Sequence, residues 1–185
     1  MPDWDKRYRE GAYDEGTEPH TLVRRFARLI PGGPVIDIGS GSGRDILFLA
    51  EKGHPSIGLE KSQEALKIAR GRSVSTGREL HLVRGDAETL PFKRGAAAGV
   101  IVFHFLERSI MGEIVGLLMK GGILIYQTFL KRQNMIDRWR NPNFMLDDGE
   151  LISYFRDLDL LLYEETVTSS KEKRRAIAQF VGRKP

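Results

Sequence analysis

The sequence predicts an α/β protein, a single domain on a doubly wound mixed sheet of about seven strands with the last strand antiparallel. Three observations predict it. Short apolar runs alternate with helical stretches along most of the chain, which is the pattern of a parallel sheet with helical crossovers. The first apolar run ends in a glycine-rich turn that opens directly into a helix. The final two runs are joined by too few residues for a parallel crossover, so they must pair antiparallel.

Taken in order, residues 20–30 set Leu22, Val23, Phe26, Leu29 and Ile30 at helical spacing, and Pro31-Gly32-Gly33-Pro34 stops that helix. Residues 35–38 are the first strand. Gly39, Gly41 and Gly43 follow, interleaved with Ser40 and Ser42. Residues 44–51 are the next helix, with Ile46, Leu47, Leu49 and Ala50 on its apolar face and Gly53 beyond its end. Residues 56–60 form the second strand, and Ser62 suits the N-cap of a helix carrying Ala65, Leu66, Ile68 and Ala69. The third, fourth and fifth strands are expected at 79–83, 99–105 and 122–129. Asp147 is expected to cap a short helix through Glu150, an acid three residues on. Residues 158–168 and 175–182 make the closing hairpin.

Composition narrows the function classes. At 185 residues the chain suits one domain, and 41% hydrophobic with 29% charged residues is ordinary for a globular protein. Without cysteine there is no disulfide, thiolate metal site or cysteine nucleophile, and no metal is expected. No apolar run approaches the ~18 residues of a membrane span, and Met1-Pro2-Asp3-Trp4-Asp5-Lys6 lacks the apolar core of a secretion signal. A cytoplasmic protein without a membrane partner is expected. Net charge is +4, and the basic groups at Arg24-Arg25-Arg28, 131–140 and 171–175 are not interleaved with aromatics as a single-strand binder would favour.

The turn narrows the ligand. Alternating glycines let a ligand approach the backbone more closely than any side chain permits. Dinucleotide loops want Gly-x-Gly-x-x-Gly, but counting from Gly39 the third glycine position is Arg44. The alternative is an S-adenosylmethionine loop, Asp-x-Gly-x-Gly-x-Gly, which Asp37 to Gly43 match throughout. Glu60 ends the second strand, where a carboxylate can accept from both ribose hydroxyls. Asp86 follows the third, placed to accept from an adenine amino group. Carboxyl ends of strands are where open α/β sheets bind ligands.

On these residues the chain resembles the class I S-adenosylmethionine-dependent methyltransferases, which are Rossmann-like. The stretch Leu118-Met119-Lys120-Gly121-Gly122-Ile123-Leu124-Ile125 resembles that family's entry into its fifth strand. Trp4-Asp5-Lys6-Arg7-Tyr8 with Tyr13, and Asn141-Pro142-Asn143-Phe144 leading to Asp148-Gly149-Glu150-Leu151, are similar to the tellurite-resistance and thiopurine methyltransferase-like groups. The resemblance implies S-adenosyl-L-methionine as cofactor. Gly39, Ser40, Gly41 and Gly43 would cradle its methionine part and Asp37 would hold its amino group. Glu60 would bind ribose, Asp86 and Ala87 adenine, and Phe103 would line the pocket. Lys61 either lies along the adenine edge or is simply exposed. Residues 1–19 would fold over the site as a lid.

Methyl transfer from a sulfonium needs alignment and desolvation, and a base only when the acceptor must lose a proton. The stretch Phe103 to Ser109 would face the transferred methyl. There His104 reads as a base or as a backbone-bonded histidine, and Arg108 as an anion clamp or as the partner of a nearby acid. Arg44, Trp4, Tyr8 and Tyr13 are the expected substrate-side residues. Asn141 to Phe144 is similar to the Asn-Pro-Pro-aromatic signature of amino-group methyltransferases, but it follows the fifth strand instead of the fourth and reads as a turn. The expected acceptor is a small molecule: a compact anion, thiol or metalloid oxyanion. An RNA or protein acceptor, or a cofactor-binding protein without catalysis, is the alternative.

Overall fold

The computed structural model describes residues 3–11, 16–137, 141–170 and 173–185. In chain order its elements are α1 (Trp4–Arg9), α2 (Thr21–Phe26), β1 (Val35–Ile38), α3 (Arg44–Glu51), β2 (Ser56–Glu60), α4 (Gln63–Thr76) and β3 (His81–Arg84). There follow β4 (Ala97–Phe103), α5 (Met111–Leu117), β5 (Leu118–Phe129), α6 (Glu150–Tyr154), β6 (Asp159–Ser170) and β7 (Lys173–Arg183). The strands form one seven-stranded sheet in the order β3-β2-β1-β4-β5-β7-β6. The first five strands pair in parallel, and β7 lies antiparallel between β5 and β6. The chain reverses direction across the sheet between β1 and β4, the switch point at which such sheets bind ligands.

Both faces of the sheet are covered, which is why β1 and β4 are buried at every residue. Ile36, Ile38, Val100, Val102, Leu124 and Tyr126 point to one face and pack with Ile114, Leu151, Phe155 and Phe180. Val35, Ile101, Phe103, Ile123 and Ile125 point to the other, against Leu22 and Val23 of α2 and Leu49 of α3. The period of two along each strand sorts the residues to their faces.

Several boundaries differ from expectation for local reasons. The helix over 20–30 tightens to a 3₁₀ turn at Ala27–Leu29. β4 starts at Ala97 and stops before His104, whose φ of +55° no strand can hold. β5 reaches back to Leu118 through an irregular register opposite Ala97 and Gly99. Asp147 does not cap α6: Gly149, at φ +76°, is the N-cap, and Asp147 pairs with Lys131 at 2.7 Å. Ser62 caps α4 as expected, accepting from the Ala65 amide at 3.1 Å.

Candidate active site

The glycine turn joins β1 to α3. Gly39, Gly41 and Gly43 all take the left-handed conformation, at φ +74°, +54° and +78°. A side chain at Gly41 would be strained and its Cβ would lie 2.6 Å from the Tyr8 hydroxyl. The helix α1 thus lies across the turn. It is held there by Asp5, whose carboxylate accepts from the Ser62 hydroxyl at 2.6 Å and the Glu64 amide at 3.1 Å. Those two bonds hold the Asp5 carboxyl below its ordinary range. Trp4, on the same helix, is over a third exposed, with the Arg7 guanidinium 5.3 Å from its ring.

Two buried acids flank the turn. Burial pushes the Asp37 carboxyl well above the usual carboxylate range, Asp45 and Glu60 add to the rise, and Arg44 opposes it. Glu60 is raised by burial too, against the pull of amide donors at Ser62 and Gly41. Its two oxygens accept those amides at 2.7 and 2.9 Å, and the Lys61 amide adds to the same pull. The set fits S-adenosylmethionine. An ammonium would relieve the buried Asp37, hydroxyls would complete Glu60, and a bare glycine backbone lies between the two.

Ser40 takes a different place from that expected. Its hydroxyl is buried under the loop, and a Cβ on Gly58 would lie 2.6 Å from it, so it faces β2 and not the cleft. Lys61 pairs with Asp86 at the ends of β2 and β3, raising the lysine and lowering the acid. Ala87 is buried beside them. Tyr13 lies outside the described residues.

At the end of β4 the sequence reading placed Phe103 and His104, and the structure adds two residues that it missed. His20, just before α2, donates its backbone amide to Asp45 Oδ1 at 2.8 Å, and its Nδ1 meets Asp45 Oδ2 at 2.6 Å. Its ring stacks on Phe103 with centroids 3.7 Å apart and stands 5.4 Å from His104, edge to face. Arg44, at the start of α3, reaches the Nε2 of the same ring. His104 in turn stacks on Phe129 at 4.7 Å. His20 and Asp45 are 25 residues apart and belong to no motif, so only the fold brings them together.

Of the two readings of Arg108, the structure favours the partner of an acid over the anion clamp. Its guanidinium is fastened in a socket and does not face the cleft. Nε and Nη2 donate to the two oxygens of Glu150 at 2.6 and 3.0 Å, while Nη1 and Nη2 reach the carbonyls of Asn143 and Met145 at 2.9 and 3.0 Å. The pairing raises Arg108; burial alone would raise Glu150, but Arg108 brings it below its usual value. Arg108→Met should therefore lower stability by about 1–2 kcal/mol, because the side chain is part-exposed. That corresponds to a fall in Tm of roughly 2–8 °C for a chain of this size. Thermal unfolding should show this loss with cofactor affinity kept; an unchanged Tm with lost transfer would restore the anion-clamp reading. Tyr126, on β5, is buried and spends its hydroxyl on the Phe105 carbonyl at 2.8 Å, so it is no acid or base.

The chain is similar to known methyltransferases. Residues 35–122 match the family described as "Methyltransferase domain". A phthiotriol/phenolphthiotriol dimycocerosates methyltransferase of Mycobacterium tuberculosis is 31% identical over 140 residues, covering 69% of this chain and 50% of the relative. A demethylmenaquinone methyltransferase of Thermus thermophilus is 31% identical over 102 residues, 51% of this chain and 46% of that one. The chain thus spans about half the length of the curated relatives it matches. Among solved structures, TehB from Haemophilus influenzae shares the fold at a TM-score of 0.80 and 18% identity, over 98% of this chain and 67% of that chain. Among the described residues no helix is long and apolar enough to cross a membrane.

Proposed function

From a methyltransferase domain at residues 35–122, whose cofactor is S-adenosyl-L-methionine, we propose that this chain transfers a methyl group to a small molecule held at the carboxyl ends of β1 and β4. One observation carries the proposal. Two buried acids and a bare glycine turn meet a ring of aromatic and cationic side chains at the sheet's switch point, under α1. Relatives named for demethylmenaquinone and for phthiotriol dimycocerosates favour an acceptor that is neither RNA nor protein.

Bound S-adenosylmethionine supplies a methyl carbon already activated by its sulfonium, so the chain contributes alignment and exclusion of water. Gly39, Gly41 and Gly43 provide the close backbone surface, Asp37 a carboxylate for the amino group, and Glu60 an acceptor for ribose. Asp86, tied to Lys61, and Ala87 border the adenine end. Trp4 and Tyr8, on α1, shield the cleft. Arg44, Phe103 and His104 border the acceptor's place, where the Arg44 guanidinium suits a small acceptor that carries or develops negative charge.

Calorimetry and a transfer assay test this together. The protein should bind S-adenosylhomocysteine and not NAD, and methyl-tritiated cofactor should label a small-molecule extract. Preferential NAD binding would overturn the cofactor assignment, and label appearing only in RNA or protein would overturn the acceptor class.

A further inference from the structure

We propose that His20 is the residue that takes the acceptor's proton, and that the acceptor is a small molecule with an ionisable hydroxyl, a phenol or an enol. The inference rests on the methyltransferase reading of the same cleft and adds a base and an acceptor class to it.

The hydrogen bonds fix the ring's state. Asp45 is an acceptor, so the His20 nitrogen 2.6 Å away, Nδ1, carries a proton. Arg44 has only donors, so the Nε2 it reaches carries a lone pair. The carboxylate clamps the ring and the His20 amide at once, which sets the orientation as well as the tautomer. An acid behind an imidazole stabilises the cation formed when the far nitrogen takes a proton. His20 and Asp45 side chains are 14% and 5% exposed, so this pair works largely out of water.

Position supplies the rest. Phe103 backs the ring at the end of β4, and His104 stands beside it. The charged and titratable groups around His20 are Arg44 and Asp45 from α3, His104 after β4, and Asp37 on β1, whose carboxyl responds to both Asp45 and Arg44. The aromatic and imidazole rings gathered here suit a flat hydroxylated ring. A thiolate or a metalloid oxyanion, arriving already ionised, gives such a base nothing to do.

The step balances. The acceptor's O–H proton passes to His20 Nε2, and the oxygen pair forms the new O–CH3 bond. The C–S bond breaks with its electrons going to sulfur, which becomes a neutral thioether, and the imidazolium returns its proton to water. Arg44 moves from Nε2 to the developing oxyanion, trading one acceptor for a charged one.

The probe is para-nitrophenol, whose colour reports its own ionisation, added to the full chain saturated with S-adenosylhomocysteine. At a fixed pH below the dye's own transition, the ionised fraction should rise about tenfold on binding, the effect of one unit in apparent pKa. His20→Gln should abolish the rise, and Asp45→Asn should lose most of it, because an amide can settle the ring in the wrong tautomer. Both variants should keep S-adenosylhomocysteine affinity, which shows that they fold. A rise that survives His20→Gln, or a dye that binds only un-ionised or not at all, overturns the proposal. Loss of S-adenosylhomocysteine binding by the unaltered chain would overturn the methyltransferase reading instead, so the two failures are distinguishable.

Discussion

Glu60→Ala is expected to weaken S-adenosylhomocysteine binding by at least about 100-fold in calorimetry. A hydrogen bond to a charged group contributes about 1.5–3 kcal/mol, and two ribose hydroxyls would share this carboxylate. Their joint loss, roughly 3–6 kcal/mol, is a factor of about 10² to 10⁴ in affinity. The carboxylate also fastens the turn itself, because it accepts the Gly41 and Ser62 amides. Glu60→Gln keeps one accepting oxygen and should fall between the two. Asp37→Ala should weaken binding as well, through the ammonium end. A dissociation constant within fivefold of the unaltered protein's for Glu60→Ala would remove Glu60 from the cofactor site.

The largest expected loss of stability is at Phe155, just past α6. The side chain is 1% exposed, with ring centroids 5.0 Å from Phe180 and 5.8 Å from Tyr126. These contacts seat α6 against β5 and β7. Phe155→Ala removes the ring and leaves a cavity, at a cost of about 3–5 kcal/mol. Against a total stability of about 5–15 kcal/mol, that consumes a large fraction. Thermal or urea unfolding should show a fall in Tm of roughly 6–20 °C. A change of only a degree or two would mean that the neighbouring side chains collapse into the space.

The fold was legible where the signals are local. The first strand, the helix after the turn and the second strand stand at the residues that period and punctuation imply, Val35–Ile38, Arg44–Glu51 and Ser56–Glu60. The helix α5 was missed because Gly112 and Gly116 break its pattern and it runs straight into β5. The cap of α6 was misplaced because Lys131, far back in the chain, claims Asp147. The site divides in the same way. Asp37, the glycines and Glu60 lie on adjacent strand ends, so reading the strands locates them. The two readings of Arg108 stayed open because its partner Glu150 is 42 residues away, and His20 meets Asp45 only once α2 has docked on the sheet.

The α1 strap has a kinetic implication. No residue of α1 is buried, and its polar anchors to the start of α4 are the Asp5 carboxylate and a part-exposed Arg9–Glu64 pair at 3.8 Å. A segment fastened so lightly opens far more often than the sheet unfolds, so amide exchange along it should outpace that of β4 by orders of magnitude. Because the Asp5 carboxyl is lowered in the folded protein, the tether is complete at neutral pH and weakens as acid protonates it. Entry and exit of ligand would then be timed by this strap and hastened only by acid strong enough to protonate a carboxyl held below its ordinary range, while the chemistry beneath keeps its own pace.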